Sequence, residues 1–122
     1  MSVVLVGHCT PDAFMLKSMV ERTLPESPVH VANDDTALSD HDEEGVVWLV
    51  NRVLDGAFAV GSSGLDLIES RLKALPGARV VLISDLEEHQ QTAEQLGARA
   101  GFGKKGLYDA QSADRLREAA TS

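Results

Sequence analysis

Short apolar runs alternate with stretches of helical spacing along the whole chain, and this alternation constrains the fold more than any other feature. Val3 to Val6 is continuous and largely β-branched, as expected of a strand buried on both faces. Val29 to Ala32, Gly45 to Val50, Arg79 to Ile83 and the weaker Ala98 to Phe102 repeat the pattern. Between them lie helical signals. Thr10-Pro11-Asp12 reads as a helix start, with Thr10 as cap and Asp12 at the positive dipole end. Ala13, Leu16 and Val20 form its apolar stripe, and Leu24-Pro25 ends it. Ser63-Gly64-Leu65-Asp66 resembles a capping box ahead of Ile68, Leu72 and Leu75, with Pro76-Gly77 as the stop. Asp85 and Glu88 open a further helix that Gly97 ends. Ala110, Ala113, Leu116 and Ala120 mark a last one, and a short helix is expected around Ala37. About five strands alternating with about five helices predict a doubly wound α/β domain with a parallel sheet.

In such a sheet the strands end at one edge, and ligands bind there. The third run stops at Asn51, the fourth at Ser84, and the fifth near Lys104. These three polar residues are therefore expected to converge. Asn51 decides the chemistry, because an Asp there would be a nucleophile and a metal ligand, and a neutral amide can be neither. The segment Arg52 to Ser63 reads as a long, Gly- and Ser-containing loop beside that edge.

Composition narrows the function classes. A length of 122 residues fits one domain spanning 1–122, and 43% hydrophobic with 25% charged residues is ordinary for a globular chain. A net charge of -8 disfavours nucleic acid or an anionic membrane as partner. No apolar stretch approaches the roughly 20 residues of a membrane helix, and no signal sequence is recognisable, so a cytoplasmic location is expected. The single Cys9 excludes an internal disulfide framework.

The order of these elements resembles the receiver domain of bacterial response regulators, over almost the whole chain. Val3-Val4-Leu5-Val6 is similar to that family's first strand. Ser63-Gly64-Leu65-Asp66-Leu67-Ile68 is similar to its Asp-Gly-Leu-Glu-Leu helix start. Val80-Val81-Leu82-Ile83-Ser84 looks like its fourth strand with the terminal hydroxyl, and Gly97-Ala98 followed by Lys104 matches its Lys spacing. The resemblance implies a flavodoxin-like, five-stranded α/β/α sheet of order 2-1-3-4-5. It also implies a two-component phosphorelay ancestry and a site in which two acids after the first strand and an Asp after the third hold a divalent cation, that Asp being the phosphoryl acceptor. Here the two metal acids fall on Gly7 and His8, and the acceptor falls on Asn51. Ser84 and Lys104, which would contact phosphoryl oxygens, are retained. The family's switch aromatic falls on Gly101, with Phe102 one place further on, where only a local bulge would let it serve.

The expectation is a degenerate, non-enzymatic receiver with no metal and no cofactor. It would act by docking a signalling partner or a second copy, with a small anion as an occupant of a pocket that has lost its own anions. Phe102, Lys105, Leu107 and Tyr108 are the interface candidates. Lys104 is expected to grip an anion or Asp55. Two rival readings remain: a redox thiol at Cys9 helped by Lys104 or His8, and a relocated phosphoacceptor at Asp55. Asp55-Gly56 is more simply a turn. His30, His41 and His89 show no zinc-ligand spacing. The acidic run Asp34 to Glu44 reads as a solvated edge.

Overall fold

The computed structural model describes residues 2–41 and 45–121. Five parallel strands and five helices alternate: β1 (Val3–Val6), α1 (Thr10–Thr23), β2 (Val29–Ala32), α2 (Asp35–Asp40), β3 (Val47–Asn51), α3 (Gly64–Ala74), β4 (Arg79–Ile83), α4 (Glu87–Leu96), β5 (Arg99–Phe102) and α5 (Ala110–Thr121). The strand order is β2-β1-β3-β4-β5. The chain thus reverses its winding between β1 and β3, and a crevice opens where their carboxyl ends diverge. The expected sheet is present, with β3 running to Asn51 itself. The end of the acidic run, Asp42 to Glu44, lies outside the described residues.

Period-two alternation sorts the strands into two apolar layers. Val3, Leu5, Val47, Leu49, Val81 and Ile83 pack with Leu16, Met19 and Val20 of α1 and with Leu116 and Ala119 of α5. Val4, Val6, Trp48, Val50, Val80 and Leu82 pack with Leu38 of α2, Leu67, Ile68 and Leu72 of α3, and Ala93 of α4. Both faces of the sheet are therefore covered, which is why its central strands read as unbroken apolar runs. The guanidinium of Arg71 lies 4.1 Å from the centre of the Trp48 ring.

The helix ends differ in part from the expected caps. Thr10 is already helical and Cys9 takes the cap position without a side-chain hydrogen bond. Ser63 does cap α3, accepting from the Asp66 amide at 3.3 Å. Asp34 caps the short α2 through Ala37 at 2.7 Å. Helix α4 begins at Glu87, two residues after Asp85, and Gly97 closes it in the left-handed conformation.

Strand β5 carries an irregularity that positions everything beyond it. Val81 pairs with Arg99, yet Ile83 pairs with Phe102, so three steps on β5 match two on β4. The extra residue returns Phe102 to the α1/α5 layer, where it is buried with Ile83. Gly101 is left at the other layer. A Cβ there would lie 2.2 Å from the Leu82 carbonyl and 2.5 Å from Gln90 Oε1, so only glycine fits.

Candidate functional site

The crevice between β1 and β3 is built from three short segments. After β1 the backbone turns at Gly7, whose φ of +73° favours glycine. After β3 the chain folds straight back over that turn. The amide of Asn51 donates to the Gly7 carbonyl at 2.9 Å. The backbone N–H of Asp55 donates to the same carbonyl at 2.8 Å. Leu54 is buried between them, and its Cδ2 lies 2.6 Å from where a Gly7 Cβ would stand. An apolar side chain thus occupies the space beside the position where the receiver pattern places its first metal acid.

The loop expected over Arg52 to Ser63 is pinned along its length. Leu54 N–H donates to the Ser62 carbonyl, Ala57 N–H to Asn33, and Gly64 N–H to Arg52. Ala59 N–H donates to Asp35 Oδ2 at 2.8 Å. Asp55 itself is exposed.

His8 turns inward and is fully buried. Its Nε2 lies 2.9 Å from the Leu49 carbonyl, which can only accept, so the proton sits on Nε2. Nδ1 then carries a bare lone pair with no partner among the described residues. Burial strips water from the ring and pushes its pKa down to about 4; the Leu49 bond opposes this, and the Lys104 charge adds to it. His8 is therefore a neutral packing residue at neutral pH and not a cationic wall of a pocket.

Lys104 reaches the edge from the segment after β5. Its ammonium donates to Asp12 Oδ2 at 2.7 Å and to Asn51 Oδ1 at 3.4 Å. Its anionic partner is thus Asp12 in the first turn of α1, rather than Asp55. The Lys104 bond, with the nearby Cys9 thiol acting in the same direction, holds the Asp12 carboxyl below the usual carboxylate range. This corrects the expectation of a site emptied of negative charge: α1 supplies a carboxylate that the strand ends lack.

Ser84 Oγ accepts from the Leu86 amide at 3.2 Å and lies 3.3 Å from His89 Nδ1, so the hydroxyl serves the start of α4. The open space at this edge, about 250 Å³, lies at the β3 and β4 tips. It is lined by Asn51, Arg52, Val53, Ser84, Leu86 and Lys104 among others. Asn51, Ser84 and Lys104 are brought together there, as the strand ends implied, while Gly7 sits against Leu54 and His8 turns to the Leu49 carbonyl.

Of the interface candidates, Phe102 and Leu107 are buried and belong to the core, which corrects their assignment to a docking surface. Lys105 is exposed, and Tyr108 is 66% exposed with the Arg22 guanidinium 4.3 Å over its ring. His30 and His41 stack at 4.2 Å. Among the described residues no group of three or more His, Cys, Asp or Glu could hold a metal ion. No helix there is long and apolar enough to cross a membrane.

No protein-family model matches the chain, and no curated protein matches it. Solved structures do. The signal receiver domain of a DNA-binding response regulator from Colwellia psychrerythraea superposes with a TM-score of 0.71 at 18% identity, over 100% of this chain and 99% of that one. The receiver domain of NtrX from Brucella abortus gives a TM-score of 0.70 at 24% identity, with 100% of both chains covered. The Salmonella typhimurium response regulator RcsB gives 0.74 at 16% identity, and this chain spans 60% of its length. The chain has the receiver fold.

Proposed function

We propose that this chain is a receiver-fold signalling module that works by docking a partner and takes no part in phosphoryl transfer. The observation that carries the reading is the closure of the β1/β3 crevice: Leu54 packs beside Gly7 while Asn51 and Asp55 both bond its carbonyl. A hard divalent cation needs several oxygen ligands in open reach. A phosphoryl group needs a carboxylate acceptor and that cation beside it. At this edge an amide replaces the acceptor, an alkyl group fills the seat, and Lys104 is paired with Asp12. Such a site holds one arrangement through internal bonds, which suits a module whose surface is always presented. Lys105 and Tyr108 belong to that surface.

Incubation with acetyl phosphate and magnesium, followed by intact-mass measurement, tests this. The expected result is an unmodified chain. A stable phosphoryl adduct that disappears in Asp55→Asn would replace the reading with a relocated acceptor.

A further inference from the structure

We infer that the cavity at the β3 and β4 tips binds a small aliphatic monocarboxylate, a free acid anion with an apolar tail. Such binding needs no docked partner and stands apart from the docking reading above. The cavity measures about 250 Å³, and its walls hold both halves of that chemistry.

The apolar half comes from Val53, Ile83 and Leu86, which all line the space. Ile83 is buried at its strand tip, whereas Val53 and Leu86 are 51% and 49% exposed. Single exposed apolar side chains are ordinary. These two come from different connections, one after β3 and one after β4, and they face one cavity. The backbone fixes both. Val53 sits in an antiparallel bridge with Ser63, and the Gly64 N–H donates to the Arg52 carbonyl beside it. The Leu86 N–H donates to Ser84 Oγ, and the Leu86 carbonyl accepts from His89 and Gln90. An alkyl tail between these walls takes apolar surface of both out of water without rearranging either.

The polar half is a set of unused donors. Arg52 lines the cavity, and its guanidinium has no hydrogen-bond or ion-pair partner among the described residues. Its planar fork suits a carboxylate. Asn51 spends one Nδ2 hydrogen on the Gly7 carbonyl and keeps the other. Lys104 spends two of its three, on Asp12 Oδ2 and Asn51 Oδ1. Ser84 Oγ is engaged by the Leu86 N–H and His89, so it adds none.

Charge sets the class of anion. Arg52 and Lys104 stand against Asp85 in the lining, which leaves one positive charge. Asp12 draws on Lys104 from outside it. Asp85 Oδ1 accepts from the Lys105 N–H. This balance accepts a single negative charge spread over two oxygens and opposes the higher charge of a phosphate.

The test is a titration of ¹⁵N-labelled protein with sodium isovalerate at constant ionic strength, read in ¹H–¹⁵N spectra. Saturable shifts are expected at Val53, Leu86, the Asn51 side-chain amide and the Arg52 Nε–H. Acetate has the same head without the tail and should bind roughly tenfold more weakly. Isovaleramide has the tail without the charge and should bind roughly three- to tenfold more weakly, as should isovalerate to the Arg52→Gln variant. Arg52 is exposed, so folding is not at stake in that variant. Absence of saturable shifts, equal binding of acetate or of the amide, or affinity unchanged in Arg52→Gln would each overturn the assignment. Tighter binding of inorganic phosphate at the same residues would overturn it in favour of a general anion seat. Tighter binding of acetyl-leucine would overturn it in favour of the carboxyl end of a polypeptide. Mass measurement after acetyl phosphate is a separate readout, so either experiment can fail with the other standing.

Discussion

Two residues at the crevice, Asn51 and His8, are held in forms that a change of charge would upset. Asn51 donates to the Gly7 carbonyl through an N–H that a carboxylate does not possess. Asn51→Asp would set two acceptors face to face, relieved only partly by Lys104 at 3.4 Å. The variant should lose about 1–3 kcal/mol in urea unfolding and should still resist acetyl phosphate. Labelling of that variant would mean that Leu54 yields and that the amide alone is the block. His8 supplies a pH effect of definite sign. Its folded pKa of about 4 lies below the ordinary 6.5. Between those values the unfolded chain binds the extra proton, so stability is full above pH 6.5 and falls as pH drops towards 4. The whole loss is roughly 3 kcal/mol. His8→Gln keeps a donor for the Leu49 carbonyl and cannot titrate. Urea unfolding at pH 7.5 and pH 5 should show a steeper loss in the parent than in that variant; equal slopes would place the proton elsewhere.

Among the elements, β5 is where local pattern and tertiary structure part. Strands β1, β3 and β4 are readable because each buries both faces, the edge strand β2 by its short apolar run, and the helices because their stripes repeat at helical spacing. A bulge leaves no such trace. Spacing back from Lys104 puts the switch position on Gly101, but why glycine stands there is visible only once Gln90 crosses to the Leu82 and Ser84 carbonyls. Gln90 reads as one polar residue of a polar helix, yet it ties α4 to β4. Gln90→Met, of similar volume, would leave both carbonyls without that donor and should cost about 1–3 kcal/mol. Amide exchange would show the effect first in α4 and β5; a uniform change would make Gln90 mere filling. The site was legible to the same extent. Asn51, Ser84 and Lys104 follow from where strands stop. Asp12 was visible as a dipole partner of α1 but not as the partner of Lys104, which is 92 residues away. The topology held that signal, since α1 starts at the same sheet edge. Leu54 gave none, being one apolar residue in a loop whose folding back depends on hydrogen bonds to Gly7 and Ser62.

For the whole molecule the question is whether a divalent cation acts as a ligand or only as salt. With a net charge of -8 the chain gathers cations around it regardless of any seat, and magnesium relieves that self-repulsion. A seat differs through linkage. An ion bound only by the folded state, at a hundred times its dissociation constant, adds about 2.7 kcal/mol. In a domain of this size that amounts to a rise of the order of 10 °C in thermal midpoint. The β1/β3 crevice offers an amide, a buried imidazole and the methyl groups of Leu54, and the Asp12 carboxylate contributed by α1 is held by Lys104. Magnesium with beryllofluoride should therefore move the midpoint no further than calcium chloride or sodium chloride at matched ionic strength. Replacing Leu54 by Ala should lower the midpoint through the lost packing without creating any magnesium preference, since space alone supplies no oxygen ligands. A magnesium-specific rise in the parent would show that the loop opens and that carboxylates outside the crevice can reach in. A rise confined to Leu54→Ala would show instead that the alkyl plug, and not the missing acids, is what keeps the ion out.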